Sequence, residues 1–349
     1  MKDKKERQDK QEKKEKRKKK KIGGKIFLGI LCLLLLITIC DICITEIYAR
    51  KLPHHFASAE EGKEILLAET DYYGAFTQND IEYRMQKEGA TLDELMTASA
   101  DEIKDFSLLD KYLVDRRISK MIRTLKKNDY ELPPTGEIIY IKTDMAMENG
   151  VCKGATGYTH GNQIYLNSTT IFMSIIPEAS QYFDTLMWHE LFHCLTRNNP
   201  DFRAEMYSLI NFTVTGEDFE FPPSVSDKYI TNPDVEHHDS YATFTIDGKE
   251  IDCYTVWAKQ KHFSEVKTDE DAESVTLLVP VDGTDTYYLM DKDSNYQDVF
   301  GANTDYTTDP EECMADNFKY AMYYGIDGKD GQGYPNPEII QGIIDYVSQ

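Results

Sequence analysis

A histidine, a glutamate and a second histidine form the pattern H-E-x-x-H at His189, Glu190 and His193. In an α-helix, residues four apart lie on one face, so both imidazoles can bind one metal ion at about 2.0 to 2.1 Å. Glu190 lies beside them, where a general base is needed. Burying three ionisable groups within one turn of an apolar helix is costly without a compensating ligand. The motif therefore predicts a Zn²⁺ site with Glu190 as the catalytic base, and two core histidines beside a paired glutamate are the alternative.

A catalytic zinc site usually takes three protein ligands and leaves a fourth position for water, so another residue must complete this one. Glu312 is the preferred third ligand, because Asp316 follows it by one helical turn and can orient a ligand from the same face. An ordinary helix start, with Asp309 as N-cap and Glu312 in a capping box, would give the same sequence. Other candidates for the third ligand stay open at Glu311, at His160 and at the pair His237-His238.

The H-E-x-x-H motif and the later Glu312-x-x-Ala-Asp316 motif together resemble the gluzincin branch of zinc metallopeptidases, which includes thermolysin-like and anthrax lethal-factor-like proteases. They are also similar to uncharacterised bacterial metallopeptidases. The resemblance implies that His189, His193 and Glu312 bind Zn²⁺. It also implies that Glu190 activates water and that Asp316 orients a histidine ligand. Glu312 follows His193 by 119 positions, a separation far longer than thermolysin-like enzymes have.

A zincin-like core of the α+β class follows from this resemblance, with a small sheet and a helix that carries the first motif. Zinc lowers the pKa of its bound water toward about 7, Glu190 takes the proton, and the hydroxide attacks a peptide carbonyl. Glu190 then returns the proton to the leaving amine. Tyr306, six residues before Glu312, is a candidate donor to the oxyanion, and an ordinary aromatic residue is its alternative because the chain has 23 tyrosines.

The predicted function is hydrolysis of peptide or protein substrates, as an endopeptidase. A strand predicted at Gln163–Asn167 is a candidate sheet edge that receives an extended peptide, and a plain edge strand fits equally. Two other functions stay open. One is a non-catalytic surface binding module on the same fold, and the other is a zinc hydrolase that acts on an ester or a non-peptide amide, because the motif fixes the nucleophile but not the leaving group.

The helix that carries the H-E-x-x-H motif should begin near Pro177 and stop before Pro200, since proline suits a first helical turn and disfavours helix in the residue before it. Apolar residues lie nearly all round this helix, which therefore belongs in the core. Two strands are predicted before it, at residues 137–142 and 163–167, separated by a glycine-containing stretch.

The remaining elements divide the chain into regions. Residues 60–131 have helical periodicity, and residues 214–305 read as a β-rich insertion with turns at Asp247-Gly248 and Asp282-Gly283. Helical signals return at Asp309-Pro310 and Asn336-Pro337, each a cap residue followed by proline. The predicted regions are a basic tail (1–25), a transmembrane helix (26–47), a helical stalk or N-terminal part of the ectodomain (48–132), and a metallopeptidase domain (133–349) that contains the insertion (214–305).

Residues 26–47 carry only Asp41 and Glu46 as charges, and a helix of this length, roughly 33 Å, crosses a bilayer core of about 30 Å. Residues 1–25 hold 14 Lys or Arg against 5 Asp or Glu, which favours a cytoplasmic N-terminus and an extracellular catalytic region at the cell membrane. A cleaved signal peptide is the alternative, although no small-x-small cleavage pattern follows the apolar run.

Composition narrows the remaining classes. Hydrophobic residues make up 41% and charged residues 29%, which excludes wholesale disorder and a multi-span membrane protein. The net charge of the whole chain is -22, and because residues 1–25 are basic, the rest of the chain is more acidic still, with 25 Lys or Arg against 56 Asp or Glu. This charge would repel phosphate backbones, so nucleic acid is excluded as a partner of residues 50–349. Cys194 and Cys313 each follow a predicted zinc ligand, and a disulfide between them is one hypothesis, with buried free thiols as the other.

Overall fold

The computed structural model describes residues 27–68, 70–145, 148, 150–151, 154–268, 270–290, 293 and 295–349. The predicted basic tail and Ile26, the first residue of the predicted membrane helix, lie outside the described residues, as does Cys152. The described chain has mixed helices and strands, with two sheets and one long apolar helix near its N-terminus. The predicted mixture of helices and strands is therefore confirmed.

The N-terminal apolar helix, α1, spans Phe27–Ala49. Among the described residues it is the one helix long and apolar enough to cross a membrane, although a signal sequence would have the same properties. All the side chains of residues 27–40 are exposed. Such a surface is far more apolar than water-facing helices tolerate, which fits a bilayer better than solvent.

The first sheet places its strands in the order β1 (His54–Phe56), β2 (Ile138–Thr143), β4 (Gln163–Asn167) and β3 (Gly157–His160). Strands β1, β2 and β4 run parallel, whereas β3 folds back on β4 through a two-residue turn in which Gly161 has a φ of 55°. The predicted strands at residues 137–142 and 163–167 are confirmed. The prediction that Gln163–Asn167 forms the sheet edge is wrong, because β3 lies outside it.

Four helices cover one face of this sheet: α2 (Ala59–Ala68), α3 (Thr70–Gly74), α4 (Gln78–Met85) and α5 (Leu92–Asp101). Leu66, Ile81 and Leu95 from these helices form one core with Ile141 and Tyr165 from the strands. The helical pattern predicted for residues 60–131 is thus present as separate helices. Since β1 also pairs with β2, residues 54–101 belong to the same packed unit as the sheet and are not a free stalk.

The opposite face of the sheet is covered by α6 (Leu108–Asn128), α7 (Ser168–Met173) and α8 (Pro177–Asn198), the helix that carries the H-E-x-x-H motif. The predicted bounds of α8 are confirmed, and residues 183–196 are all buried. At its C-terminal end, the amides of Asn198 and Asn199 donate to the carbonyls of Cys194 and Leu195 at 2.8 and 2.9 Å. The bond to Leu195 satisfies one of the last four carbonyl groups, which have no partner inside the helix, and Pro200 prevents its continuation.

Helices α9 (Pro200–Ser208) and α10 (Pro223–Ser226) precede and flank a second, antiparallel sheet. Its strands follow chain order: β5 (Thr213–Val214), β6 (Ser240–Ile246), β7 (Lys249–Lys259), β8 (Ser274–Pro280) and β9 (Tyr288–Leu289). The β-rich pattern of residues 214–305 is therefore observed. Asp247-Gly248 is a tight turn with φ angles of 49° and 79°, as predicted. Asp282-Gly283 is not, because residues 281–287 form a longer loop between β8 and β9.

Three helices complete the chain: α11 (Tyr296–Phe300), α12 (Pro310–Tyr324) and α13 (Pro337–Val347). The helix starts predicted at Asp309-Pro310 and Asn336-Pro337 are confirmed, with proline in the first turn of each. Helix α12 packs along α8, where Phe318 contacts the rings of Trp188 and Phe192. This contact brings the two sequence motifs together.

A buried ion cluster connects the N-terminal helices to a loop of the second-sheet region. Arg84 of α4 contacts Asp80 at 2.8 Å and Glu148 at 2.6 Å, and the side chains of Arg84 and Asp80 are fully buried. Arg84 also donates to the carbonyl oxygen of Thr231 at 2.5 Å, and the Thr231 hydroxyl donates to Asp80 at 2.6 Å. The cluster therefore fixes the position of Thr231, from which the loop runs to the candidate site.

Replacing Arg84 with alanine should destabilise the protein strongly, because Asp80 and Glu148 would remain buried without their counter-ion. We expect a loss of about 3 to 5 kcal/mol, which lowers the melting temperature by about 10 °C. The measurement is thermal unfolding of the full chain in detergent, followed by circular dichroism. As a matched control, Lys87→Ala removes an exposed ion pair with Glu94 and should change the melting temperature by less than about 2 °C. Equal melting temperatures for both variants would contradict this role.

Candidate metal centre

Three predicted ligands from two helices converge at one point. His189 and His193 extend from α8 and Glu312 from α12, and their ligand atoms all lie within 4.8 Å of one another. Glu312 Oε2 is 3.1 Å from His189 Nε2 and 3.8 Å from His193 Nε2. Both His193 and Glu312 are fully buried, and His189 is 7% exposed. The structure thus brings together residues that the sequence places more than a hundred positions apart.

The second nitrogen of each imidazole is held by a carboxylate of α12. His189 Nδ1 is 3.0 Å from Asp316 Oδ1, and His193 Nδ1 is 2.8 Å from Glu311 Oε1. These bonds place the proton on Nδ1 and direct both Nε2 atoms toward Glu312. The earlier histidine, His189, pairs with the later carboxylate, Asp316, and the later histidine, His193, pairs with the earlier one, Glu311. The two helices therefore run antiparallel at the site.

His193 Nε2 is buried and has no hydrogen-bond partner among the described residues. An imidazole nitrogen in that state is costly, unless a ligand approaches it from the side of Glu312. Two imidazole nitrogens and one carboxylate oxygen form a donor set that divalent transition metals, including Zn²⁺, accept in tetrahedral geometry. The residues present therefore fit a bound metal ion.

The electrostatics of the site favour positive charge. Burial alone lowers the pKa of His189, but its hydrogen bonds to Asp316 and Glu312 outweigh burial and raise the pKa to about 10. Burial alone raises the pKa of Glu312, but the two imidazoles outweigh it and lower the pKa to about 2. Glu312 is therefore ionised at neutral pH, and a cation between these three groups is strongly stabilised.

Glu190 is buried and faces strand β3. Its Oε2 accepts a hydrogen bond from the Thr159 hydroxyl at 2.7 Å. Its Oε1 lies beside Gly157, where an added Cβ would be only 2.8 Å away. Gly157 therefore provides the space that the carboxylate occupies, and Thr159 fixes its orientation.

Two further groups hold Glu312. Asn232 Nδ2 donates to Glu312 Oε1 at 2.7 Å, and the Tyr306 hydroxyl donates to the same oxygen at 2.8 Å. Because both donors bind Oε1, Oε2 stays directed at the imidazoles. The Tyr306 ring stacks on His189 with centroids 6.1 Å apart. Tyr306 thus lies at the site, in contact with a predicted ligand; its role as an oxyanion donor stays a prediction.

A cleft of about 340 Å³ opens beside these residues. Its lining includes residues 154–158, which lead into and begin the edge strand β3, together with Tyr306 and Lys319. Asn232, Pro233 and Asp234 close one end. Asp234 also lies near the ligands, with Oδ1 3.9 Å from His193 Nε2, and forms a second possible cation-binding group with Glu190 and His193.

The alternative ligands are placed elsewhere. His237 is exposed, with Nδ1 3.2 Å from Asp218. His238 is buried against Tyr229, and burial lowers its pKa to about 4. His160 packs against the ring of Tyr72. None of these histidines is in a possible metal-binding group formed by the described residues.

The start of α12 also differs from the capping-box alternative. Asp309 accepts a hydrogen bond from the backbone N–H of Glu311 at 2.8 Å, and the Glu312 side chain points into the site instead of back to the cap. Glu311 is an outer partner of His193, where Thr196 also donates to it at 2.7 Å. The capping-box reading of Glu312 and the ligand reading of Glu311 are therefore not borne out.

The thiols of Cys194 and Cys313 are free and buried, so the hypothesis of a disulfide between them is wrong. Burial raises the pKa of Cys194 to about 12, which makes the thiol unreactive.

Sequence reasoning missed several residues of the site. Gly157, Thr159, Asn232 and Asp234 come from a short strand and a loop that no local pattern connects to the motif helix. Glu311 has a detectable signal, because it stands in the first turn of α12 next to Glu312, but its position in the sequence suggests a metal ligand and not a hydrogen-bond partner of His193. No family model, curated protein or solved structure matches the chain. The chemistry of the site is therefore argued from its own geometry.

Replacing Glu312 with glutamine should weaken Zn²⁺ binding by more than about 100-fold, because a neutral amide is a poor ligand, whereas Asp316→Asn should weaken it by about 10- to 100-fold. The measurement is competition with a chelating zinc dye, on the full chain in detergent. The control, Glu205→Gln on the exposed face of α9, should retain the affinity of the unmodified chain. An unchanged affinity in the Glu312 variant would remove Glu312 from the ligand set.

Proposed function

We propose that the protein is a metal-dependent peptidase, with Zn²⁺ as its metal. The single observation that carries this proposal is the arrangement of Glu190, which lines the same cleft as the ligand His189, has a carboxylate oxygen within 4.8 Å of a ligand nitrogen of His193, and lies beside Gly157 at the edge of the first sheet. A purely structural metal site has closed coordination and needs no such base. Hydrolysis needs both a base and a surface that holds the substrate.

We infer that the first sheet and α8 form a zincin-like core. Supporting this inference, the edge strand β3 precedes β4 and α8 in the chain, and α8 carries both histidines against that sheet. The third ligand follows on α12, as the resemblance to gluzincins implies.

A bound zinc ion would polarise the substrate carbonyl and lower the pKa of a water molecule toward about 7. The protein supplies the proton transfer. Since Glu190 Oε2 is occupied by Thr159, Oε1 is the oxygen that accepts the proton of the attacking water and later delivers it to the leaving nitrogen. Asp316 and Glu311 keep the Nδ1 protons in place during these steps.

Strand β3 is the surface on which a peptide would bind. Its inner hydrogen-bonding groups pair with β4, so the groups of alternate residues point outward along the free edge. No described residue bonds to the outward N–H and C=O of Gly157, which lies next to Glu190. A peptide that adds as a further strand at Gly157 would place its scissile bond near the base and the ligands.

Helix α1 supports attachment to a membrane, and we propose a single-pass anchor with the catalytic region outside the cell. The basic residues 1–25 favour this orientation through the positive-inside bias. In this arrangement the site hydrolyses peptides or proteins at the outer membrane surface.

Glu190→Gln should abolish turnover while leaving the metal in place. The amide cannot accept the proton, so we expect kcat to fall by about 10² to 10⁴-fold. The measurement is mass spectrometry of a peptide mixture incubated with the zinc-loaded full chain in detergent, together with the zinc content of each sample; Glu205→Gln is the control. If turnover is absent in the unmodified chain or independent of Glu190, the protein is a binding module. Turnover of esters or cell-wall amides, but not of peptides, would favour the other hydrolase class.

Gly157→Ala should impair the base without touching the ligands. The new methyl group would lie within 3 Å of Glu190 Oε1 and force the carboxylate away from the attacking water. We expect kcat to fall by about 10-fold or more, with Zn²⁺ affinity unchanged. Gly154→Ala is a control for the loop before β3, since no atom lies within 4 Å of its added Cβ, although its φ of 81° adds backbone strain. A fully active Gly157→Ala enzyme would show that the position of Glu190 is not set there.

A further inference from the structure

The free edge of β3 is closed at one end by side chains. Asp234 Oδ1 accepts a hydrogen bond from the backbone N–H of Thr159 at 2.6 Å, and Glu236 Oε1 accepts one from the N–H of Gly161 at 2.6 Å. Arg197 donates to the Thr159 carbonyl at 3.1 Å. The outward groups of Thr159 and Gly161, which an extended peptide would need, are therefore already bound, whereas those of Gly157 are not.

The loop that closes this end, residues 231–236, is held at several points. The buried Arg84 cluster fixes Thr231, Asn232 donates to Glu312, and Arg197 donates to the Pro233 carbonyl at 2.9 Å. A segment bound on both sides is a permanent wall of the cleft and not a lid that a substrate can displace at low cost.

The closed end limits how much substrate fits beyond the scissile bond. Thr159 and Gly157 both lie next to Glu190, but the outward groups of Thr159 are already bound, so Gly157 is the position at which a substrate can pair beside the base. Outward groups recur at every second residue of an edge strand. The next such residue, Thr159, is occupied. One substrate residue therefore fits between the scissile bond and the wall, so the chain end of the substrate must lie there.

The charge of the wall determines which chain end is accepted. Asp234 is 8% exposed and lines the cleft, and no described residue donates to its Oδ2. Burial, together with the nearby Glu190 and Glu312, raises the pKa of Asp234, so an α-ammonium group beside it would offset this crowding of acidic groups, whereas an α-carboxylate would add to it. Arg197 does not reverse this preference, because its guanidinium group binds the Thr159 and Pro233 carbonyls and Glu236, and it does not line the cleft. An antiparallel peptide on β3, the commoner pairing, would also place its N-terminus at this end.

We infer that the protein is an aminopeptidase, which removes single residues from the N-terminus of peptides, and that Asp234 binds the α-ammonium group of the substrate. This inference rests on the proposed peptidase function, and it replaces the endopeptidase action predicted from the sequence. The bond that breaks is the first peptide bond, by addition of water, and Glu190 transfers the proton to the new N-terminus of the shortened peptide.

The test uses two peptides of the same sequence with amidated C-termini, one with a free N-terminus and one N-acetylated. The zinc-loaded full chain in detergent should release the first amino acid of the free peptide. Its kcat/KM should be at least about 100-fold lower on the acetylated peptide, since the buried carboxylate would then face a neutral group. Mass spectrometry of the products identifies the bond that is cleaved.

The variant Asp234→Asn separates charge from shape, because its amide oxygen can still accept the Thr159 N–H. We expect the kcat/KM values of the free and the acetylated peptide to come within about 10-fold of each other, mainly because the free peptide is cleaved more slowly. Zinc content should be unchanged. As a control, Asp218→Asn changes an exposed acidic residue outside the cleft. This variant should have the same ratio of kcat/KM between the free and the acetylated peptide as the unmodified chain.

Three outcomes would overturn the inference. Internal cleavage of the acetylated, amidated peptide at a comparable rate would show that the cleft is open at both ends, and would leave the peptidase function intact. An unchanged ratio in Asp234→Asn would remove Asp234 as the ammonium ligand. If no peptide is cleaved, or if Glu190→Gln cleaves as fast as the unmodified chain, the proposed function itself fails.

Discussion

Two buried hydrogen bonds between antiparallel helices determine the geometry of the whole site. Asp316 and Glu311 of α12 hold the imidazoles of His189 and His193 so that their free nitrogens meet at Glu312. The bonds require the helices to pack at one register, which the aromatic contact of Phe318 with α8 supports. A shift by one helical turn, about 5.4 Å, would separate every one of these pairs. The apolar packing of α8 and α12 is therefore part of the chemistry as well as of the core.

This arrangement concentrates acidic side chains in a buried site, which is unfavourable in free energy because their charges repel one another. Six buried carboxylates surround the two imidazoles: Glu190, Asp234, Asp309, Glu311, Glu312 and Asp316. Burial raises the pKa of Asp309 to about 8, so this group is mostly neutral at pH 7 and lowers the total charge. Lys319 pairs with Asp316, and Arg197 with Glu236. A divalent cation would offset much of the remaining charge, which is why the site suits a metal better than protons alone.

Local patterns in the sequence were sufficient for the parts of the site that lie on single helices. The spacing of His189 and His193, the prolines that bound α8, and the spacing of Glu312 and Asp316 each depend on neighbours within one or two turns. The edge strand β3 has four residues and begins with glycine, so it carries no alternation that would distinguish it from a loop. The positions of Asn232 and Asp234 depend on contacts with Arg84 and Thr159, far away in the chain, and no local pattern encodes them.

The link between α1 and the sheet is short. Residues 50–53 separate Ala49 from the first residue of β1, and four extended residues span at most about 14 Å. The hydroxyl of Tyr112 also donates a hydrogen bond to Asp41 on α1. With α1 in a bilayer, the folded region could not swing outward on a tether, so the height of the cleft above the lipid would be nearly constant. For the proposed peptidase, substrates would then be met only near the plane of the membrane, and peptides whose N-termini never approach that surface would not be hydrolysed however well they fit the cleft.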